Sequence, residues 1–197
     1  MTRRLTILLL TLTLALCAAA QIPVADRDAV LARIVAAQKP QQGKIQTYSF
    51  TQTKHSPMLA QDAVSHGTLT LSGERQMRWQ YTDPTDFALI VNSDSIYTES
   101  AGKRISLSGA SGAAMRGMAQ TMMTLASGNA LSDEKLFTVE LTEEPNAYRA
   151  VLTPKRRDMR RMMQQVVVTF DKKSYRVSTV RLMEKQDSYT LIEFRVK

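Results

Sequence analysis

The chain has 197 residues and a formal net charge of +8, with one cysteine and two histidines. That length fits a single domain, and one cysteine excludes a disulfide framework and a thiolate metal site. Part of the positive charge lies in an N-terminal segment that must be set apart from the folded domain.

The N-terminus has the pattern of a cleaved secretory signal peptide. Arg3 and Arg4 supply a positive start, and residues 5–16 form an apolar run that is too short to span a bilayer comfortably. Residues 18–20 form an Ala-x-Ala cleavage site. We therefore predict that residues 1–20 are removed and that the protein is exported.

Cleavage leaves residues 21–197 as one soluble domain with 24 basic and 18 acidic groups, a net charge of +6. The mature chain then contains no cysteine and hence no thiol nucleophile. Cys17 also suggests a lipoprotein signal, but Leu16 before it is bulky where such signals want a small residue. Whether Cys17 is lipidated stays open.

The first elements of the mature domain are a helix and a strand. Residues 23–39 carry an apolar stripe at helical spacing, with Asp26 or Asp28 as the N-cap, which predicts an amphipathic helix on a sheet. Residues 45–55 alternate and place Phe50 on one face of a strand.

The segment 67–84 predicts a hairpin at the centre of the sheet. Leu69 and Leu71 alternate with polar residues, and Met77, Trp79 and Tyr81 do the same after a tight turn. Period-two alternation places these large apolar side chains on one face.

Short strands continue to the end of the chain. The strand 86–91 places Leu89 and Val91 on one side. Turns at short, regular intervals are typical of an all-β sandwich or barrel, so we predict a mainly β (α+β) fold of about ten antiparallel strands. The remaining predicted strands are 96–99, 103–107, 137–141, 148–152, 166–170, 175–184 and 188–196.

A methionine-rich segment interrupts this pattern between two Ser-Gly pairs. Met115, Met118 and Met122 recur at helical spacing with Met123 beside them, which predicts a short helix. Its stripe either packs in an ordinary core or forms a movable lid, since unbranched thioether chains repack around ligands of variable shape.

A second unusual segment, 155–163, interleaves basic residues with methionines. Arg156, Arg157, Arg160 and Arg161 either form a solvated surface loop or dock onto an anionic membrane or an acidic partner. Nucleic acid is not expected, because aromatic stacking platforms do not accompany these charges.

Several short motifs occur through nearly the whole mature chain in a specific order. They are Phe50-Thr51-Gln52, Gly67-x-Leu69-x-Leu71, Met77-Arg78-Trp79-x-Tyr81-x-x-Pro84, the strand-turn-strand from Leu89 to Tyr97, Leu152-Thr153-Pro154-Lys155 and Val168-x-Phe170-Asp171. Their order and spacing resemble the periplasmic outer-membrane lipoprotein carrier (LolA) family. The turn 72–75 departs from the family pattern, which often has an Arg-Pro pair whose arginine latches the lid, so the latch residue stays open.

The resemblance implies an incomplete antiparallel β-barrel, or half-barrel, with helices covering an apolar cavity. It implies a chaperone that takes acylated lipoproteins from an inner-membrane transporter and passes them to an outer-membrane receptor, as a monomer without a cofactor. The alternative is an acyl-binding sensor or scaffold of the same fold that hands nothing on. The expected acyl-binding cavity is lined by Phe50, Leu69, Leu71, Met77, Trp79, Tyr81, Leu89, Val91, Met115, Met118, Met122 and Met123.

Catalysis is not expected from this sequence. The segment 109–113 is one residue away from a nucleophile elbow, but both histidines precede its serine, contrary to the order in that hydrolase fold. His55 and His66 lack metal-ligand spacing. No nucleophile, base and orienting group come together, so neither a catalytic residue nor a metal is assigned.

Overall fold

The computed structural model describes residues 22–39, 45–72, 76–92, 95–109, 124, 129–133 and 135–196. These residues form a twelve-stranded antiparallel sheet, two α-helices and one short 3-10 turn (Asn129–Leu131). The helices are α1 (Arg27–Gln38) and α2 (Arg157–Met162). The strands are β1 (Ile22–Pro23), β2 (Ile45–His55), β3 (Ala63–Ser72), β4 (Met77–Asp83), β5 (Phe87–Val91), β6 (Ile96–Ser100), β7 (Lys103–Ser106), β8 (Phe137–Glu143), β9 (Ala147–Pro154), β10 (Gln165–Asp171), β11 (Val177–Met183) and β12 (Tyr189–Val196).

The sheet consists of two meanders joined by one long-range pairing. Strands β2 to β7 form one meander, and β8 to β12 form the other, with β1 added outside β8. Strand β12 pairs with β2 along eight residue pairs, from Tyr189 opposite His55 to Val196 opposite Tyr48. The two edge strands, β1 and β7, stand at opposite ends of the strand order, so the sheet is open. The predicted fold class, a mainly β incomplete barrel with few helices, is confirmed.

The structure adds three elements to those predicted: β1, α2 and the 3-10 turn Asn129–Leu131. Strand β1 is only two residues long and pairs with β8, a contact that no local pattern encodes. Helix α2 lies in the segment that the sequence predicted as a basic loop; its N-cap, Arg156, has no side-chain capping bond. Six residues are too few for a helical period to be recognised.

One face of the sheet, here called the inner face, carries two apolar clusters. The helix-side core joins α1 to strands β8 to β11, and the aromatic wall lies on β2 to β6 and β12. Phe194 on β12 contacts both clusters. The pairing of β12 with β2 therefore makes one continuous apolar face out of the two meanders.

Helix α1 covers the helix-side core. Asp26 is its N-cap and accepts a hydrogen bond from the Ala29 amide at 3.2 Å, which decides between the two predicted caps. Val30, Leu31 and Ile34 are buried at the predicted spacing. The helix is thus fixed on one half of the inner face and lies away from the aromatic wall.

A buried glutamine attaches the end of α1 to the sheet. Gln38 Nε2 donates to the carbonyls of Ile34 at 2.9 Å and Tyr175 at 2.7 Å, and its Oε1 accepts from the Val177 amide at 3.1 Å. Tyr175 lies in the turn between β10 and β11 and has a φ of 58°. Its carbonyl accepts a hydrogen bond from the Gln38 side chain instead of from a neighbouring strand. The bonds to Ile34 and Val177 are buried and the bond to Tyr175 is partly buried, so water competes little with these three hydrogen bonds.

We expect Gln38→Leu to lower the free energy of unfolding by about 2 to 4 kcal/mol, because it leaves a buried amide and a carbonyl without partners. Urea denaturation followed by circular dichroism measures this loss. Gln46→Leu is the matched control: its bond to the Lys39 carbonyl is exposed, and the Tyr48 hydroxyl, which donates to Gln46, keeps its bond from Arg176, so we expect a loss of about 1 kcal/mol or less. Equal losses in the two variants would contradict the bridging role of Gln38.

Candidate functional site

The predicted cavity residues that the structure describes are brought together in the aromatic wall. Strand register explains this, since Leu69, Trp79 and Leu89 are direct neighbours across β3, β4 and β5. Leu71, Met77 and Val91 form the next row in the same strands. The predicted residues found in the wall are Phe50, Leu69, Leu71, Met77, Trp79, Tyr81, Leu89 and Val91. Met115, Met118, Met122 and Met123 lie outside the described residues.

A glycine allows the rings of the wall to approach the sheet closely. Gly67 stands opposite Phe50 on β2 and Tyr81 on β4, and a Cβ added to it would lie 2.0 Å from the Gln80 carbonyl oxygen and 2.5 Å from the Phe50 ring. The Phe50 ring occupies the space that a side chain would fill. Its centroid lies 4.7 Å from Trp79 and 5.3 Å from Tyr81, at distances typical of favourable aromatic pairs.

The opposite face of β4 is polar, although Ala88 and Ile90 of β5 lie buried on the same side of the sheet. Arg78, beside Trp79 on β4, donates to Gln80 and to Glu99, both at 3.1 Å. Arg78 and Arg104 hold the pKa of the Glu99 carboxyl below its ordinary value. The alternation of β4 therefore separates an ion-paired outer face from an apolar inner face, as its sequence predicts.

Three polar groups lie within the wall. Trp79 is 7% exposed, and its indole Nε1 is buried without a hydrogen bond of good geometry among the described residues. The Tyr81 hydroxyl donates to Gln52 Oε1 at 2.9 Å; burial raises the pKa of this phenol, and the nearby Trp79 indole and Gln52 oppose that rise. The Tyr48 hydroxyl donates to Gln46 Oε1 at 3.2 Å. The wall is therefore largely apolar, with a few polar groups that have different degrees of hydrogen bonding.

The structure adds residues to the wall that sequence reasoning missed. Tyr48 was recognisable, because it alternates with Phe50 in the same strand. Ile192 and Phe194 were not, because they reach the wall only through the pairing of β12 with β2. The full set of additions is Tyr48, Ile96, Leu107, Ile192 and Phe194.

A depression of about 300 Å³ borders the wall where β4 leads into β5. Tyr81 and Phe87 connect it to the aromatic wall, and Pro84 follows a cis peptide bond in its floor. Its lining is mainly apolar, with a polar edge. The lining residues are Ser65, Tyr81, Asp83, Pro84, Thr85 and Phe87.

The four predicted docking arginines have different surroundings. Arg156 forms two hydrogen bonds with the Asp158 carboxylate, at 3.1 and 2.6 Å, so its charge is compensated. Arg160 donates to the carbonyls of Pro154 and Lys155 at the end of β9. Arg157 and Arg161 are exposed, and neither has a side-chain partner in the described part of the chain. These two are therefore the cations available to a partner.

The titratable groups offer no assembled reaction site in the described ranges. His55 Nδ1 lies 2.6 Å from Asp62 Oδ1, and His66 Nδ1 lies 3.2 Å from Thr51 Oγ1. Over these same ranges, no group of three or more metal-ligating side chains occurs. The helices that the structure describes are all too short or too polar to span a bilayer.

An open antiparallel sheet with an apolar inner face and few helices defines a half-barrel binding protein. The sequence model of the family described as outer membrane lipoprotein carrier protein LolA matches residues 43–196. The chain belongs to the LolA family. Members of this family are periplasmic carrier and binding proteins, and membership supports a general role in binding lipoproteins or lipids.

Several solved structures are similar to this chain in fold at low sequence identity. A LolA superfamily protein from Nitrosomonas europaea is 11% identical, with a TM-score of 0.42 over 85% of this chain and 90% of that one. A putative outer membrane lipoprotein-sorting protein domain from Vibrio parahaemolyticus is 9% identical, with a TM-score of 0.41 over 85% and 91%.

A chain of the MucA/MucB complex from Pseudomonas aeruginosa is 11% identical, with a TM-score of 0.43 over 86% of this chain and 56% of that one. Our chain thus spans only about half the length of that relative. No protein of curated function matches the chain in sequence.

Proposed function

We propose that this protein is a periplasmic carrier that binds the acyl chains of lipoproteins against the aromatic wall and shuttles them from the inner to the outer membrane. The observation that carries the proposal is the wall itself, in which apolar side chains from six strands converge on one face of an open sheet. We assign the carrier domain to residues 21–197, after removal of the signal peptide 1–20.

The energetics of lipid transfer explain why such a wall is needed. Exposing one methylene to water costs about 0.8 kcal/mol, so an acyl chain of roughly fifteen methylenes faces a barrier of order 12 kcal/mol. A lipoprotein anchored by two or three chains cannot cross an aqueous compartment at a useful rate without cover. A dry surface on a water-soluble protein removes this barrier.

The composition of the wall suits cargoes that share only their lipid. An apolar site with few fixed polar groups binds the acyl chains of a lipoprotein and makes no specific contact with the attached protein. The Trp79 N–H, which has no hydrogen bond of good geometry among the described residues, is a donor from which an ester or amide carbonyl of the lipid anchor would accept a hydrogen bond. One carrier can therefore bind lipoproteins whose protein parts differ.

Burial of the wall supports reversible binding. Met77 is 3% exposed and Trp79 7%, so an acyl chain reaches them only when the wall is uncovered. The free energy of uncovering lowers the net affinity, which helps release at the acceptor membrane. We assign the cover to the predicted methionine helix with Met115, Met118, Met122 and Met123, and docking onto an anionic membrane or an acidic partner to the arginines around α2.

Reconstituted transfer tests this proposal. The exported protein is offered membranes that contain a diacylated lipoprotein and its ATP-driven releasing transporter, and the soluble fraction is analysed by native mass spectrometry. We expect a soluble one-to-one complex that then delivers the lipoprotein to vesicles bearing the outer-membrane receptor. Absence of the complex would refute the carrier; a complex without onward delivery would favour an acyl-binding sensor.

Trp79 supplies an independent signal for acyl binding. It is the only tryptophan in the chain and lies in the wall, so its fluorescence reports directly on the proposed site. We expect a neutral diacylated lipopeptide to change the emission in a saturable way, whereas the same peptide without acyl chains leaves it unchanged.

A further inference from the structure

Several connections between strands gather at one end of the sheet, here called the loop rim. Because neighbouring strands are antiparallel, the segments 56–62, 84–86, 155–164 and 184–188 all emerge at this end. The depression beside Tyr81 and Phe87 lies at the same end. The loop rim is therefore the edge of the sheet nearest to an accessible part of the inner face.

Helix α2 gives the loop rim an exposed basic and apolar surface. Arg157 and Arg161 are exposed without side-chain partners among the described residues, and Met162, which follows Arg161, is 62% exposed. Met159 and Met163 pack against the helix-side core instead. The helix thus keeps two methionines inside and presents one outside, together with its free cations.

The β2–β3 loop presents a second apolar group to solvent. Met58 is 88% exposed and Leu59 is 46% exposed. The loop is ordered by its own bonds: the Leu59 amide donates to the Ser56 carbonyl at 2.9 Å, and His55 contacts Asp62 at 2.6 Å across its base. Exposed apolar side chains held outward by a fixed turn are typical of an interaction site.

These two features lie on one line along the rim. Strands β10 and β2 are three strand spacings apart, about 14 Å, with the β11–β12 turn between them. The hydroxyl of Ser188 in that turn donates to Ser56 Oγ at 3.2 Å and so ties it to the β2–β3 loop. The β11–β12 turn therefore lies between α2 and the β2–β3 loop and is bonded to that loop.

The acidic side chains at this part of the rim are compensated. Asp62 contacts His55, Asp158 bonds Arg156, and Glu184 forms an ion pair with Lys54. Asp187 and Lys185 lie in the β11–β12 turn between the two features and carry opposite charges, whereas Asp83 and Asp86 lie beyond β3. The two uncompensated arginines of α2 therefore make the net charge of this part of the rim positive.

We propose that the loop rim docks onto an anionic lipid bilayer, with Met58, Leu59 and Met162 entering the interfacial layer and Arg157 and Arg161 at the level of the phosphates. Cations combined with exposed, flexible apolar side chains favour a bilayer over a folded acidic protein, because a bilayer needs no matching shape. This inference rests on the proposed function, because docking would bring the depression beside Tyr81 to the membrane from which an acyl chain is taken.

Vesicle binding without cargo tests the docking surface separately from acyl transport. The exported protein, with its N-terminus defined by intact mass, is sedimented with vesicles of phosphatidylglycerol and phosphatidylethanolamine in equal amounts, and with vesicles of phosphatidylcholine. We expect binding to the anionic vesicles alone, and its loss in about 1 M salt, where the screening length falls to about 3 Å.

Matched variants locate the surface. We expect Arg157→Gln with Arg161→Gln to weaken binding about 30-fold, because each cation near an anionic surface contributes about fivefold. Lys173→Gln with Arg195→Gln removes the same charge at the opposite end of the sheet and should have little effect. Met58→Ser should also weaken binding, whereas Ile45→Ser, at a residue 66% exposed at the other end of β2, should not.

All the substituted residues are exposed, so we expect every variant to fold. The midpoint of unfolding is measured for each variant to check this. Absence of binding to anionic vesicles, or equal losses in the rim and control pairs, would overturn the proposal. If the protein does not bind anionic vesicles, an acidic protein becomes the expected partner of the α2 arginines. Failure of the carrier experiment alone would leave vesicle binding intact.

Discussion

Replacing Leu89 with glutamate should reduce the affinity for a neutral diacylated lipopeptide at least about 100-fold, because an unpaired carboxylate in an apolar site costs several kcal/mol. Leu89 is the cross-strand neighbour of Trp79 and is only half-buried, so the protein tolerates the change better than at Met77. Titration followed by Trp79 fluorescence measures the loss, and a neutral lipopeptide avoids charge repulsion with the ligand.

Val64→Glu is the control for this experiment. Val64 is an exposed apolar residue on β3 that pairs with Thr53 on the outer face, so the substitution introduces the same charge away from the wall. We expect its affinity to stay within about twofold of the unchanged protein, as surface substitutions have small effects. Equal affinity in Leu89→Glu and Val64→Glu would place acyl binding outside the aromatic wall.

Replacing Gly67 with alanine should lower the free energy of unfolding by about 3 kcal/mol or more, because overpacking at a rigid site forces the backbone to move. The added Cβ would meet the Gln80 carbonyl oxygen at 2.0 Å, and a strand carbonyl cannot rotate away as a flexible side chain could. The Phe50 ring at 2.5 Å must also shift, so Trp79 emission should change even where the variant remains folded. Thermal and urea unfolding measure the loss.

Gly102 provides the contrast. It has a φ of 73° in the β6–β7 turn, and a Cβ there would meet nothing within 4 Å. Gly102→Asn should cost about 1 kcal/mol or less, since asparagine tolerates this conformation. A similar small loss for Gly67→Ala would mean that Phe50 does not need the space above this glycine.

Much of the site follows from local patterns in the sequence. Period-two alternation in β3, β4 and β5 is enough to place Leu69, Trp79 and Leu89 on one face, because side chains on a strand point to alternate sides. The α1 stripe and its Asp26 cap are likewise encoded within a few residues. In contrast, Ile192 and Phe194 could not be assigned to the wall from their own strand.

The sequence by itself determined which face of β3 and β4 carries the large apolar side chains, the approximate extent of most strands, and the LolA family. It placed the start of α1 at residue 23, four residues before the observed start at Arg27. Only the tertiary structure decided that β12 pairs with β2, which of the α2 arginines are free, and that the Phe50 ring lies over Gly67. The physical reason is that alternation, capping and turns depend on neighbours in the chain. Strand pairing and side-chain compensation depend on groups distant in sequence, whose meeting no local pattern specifies.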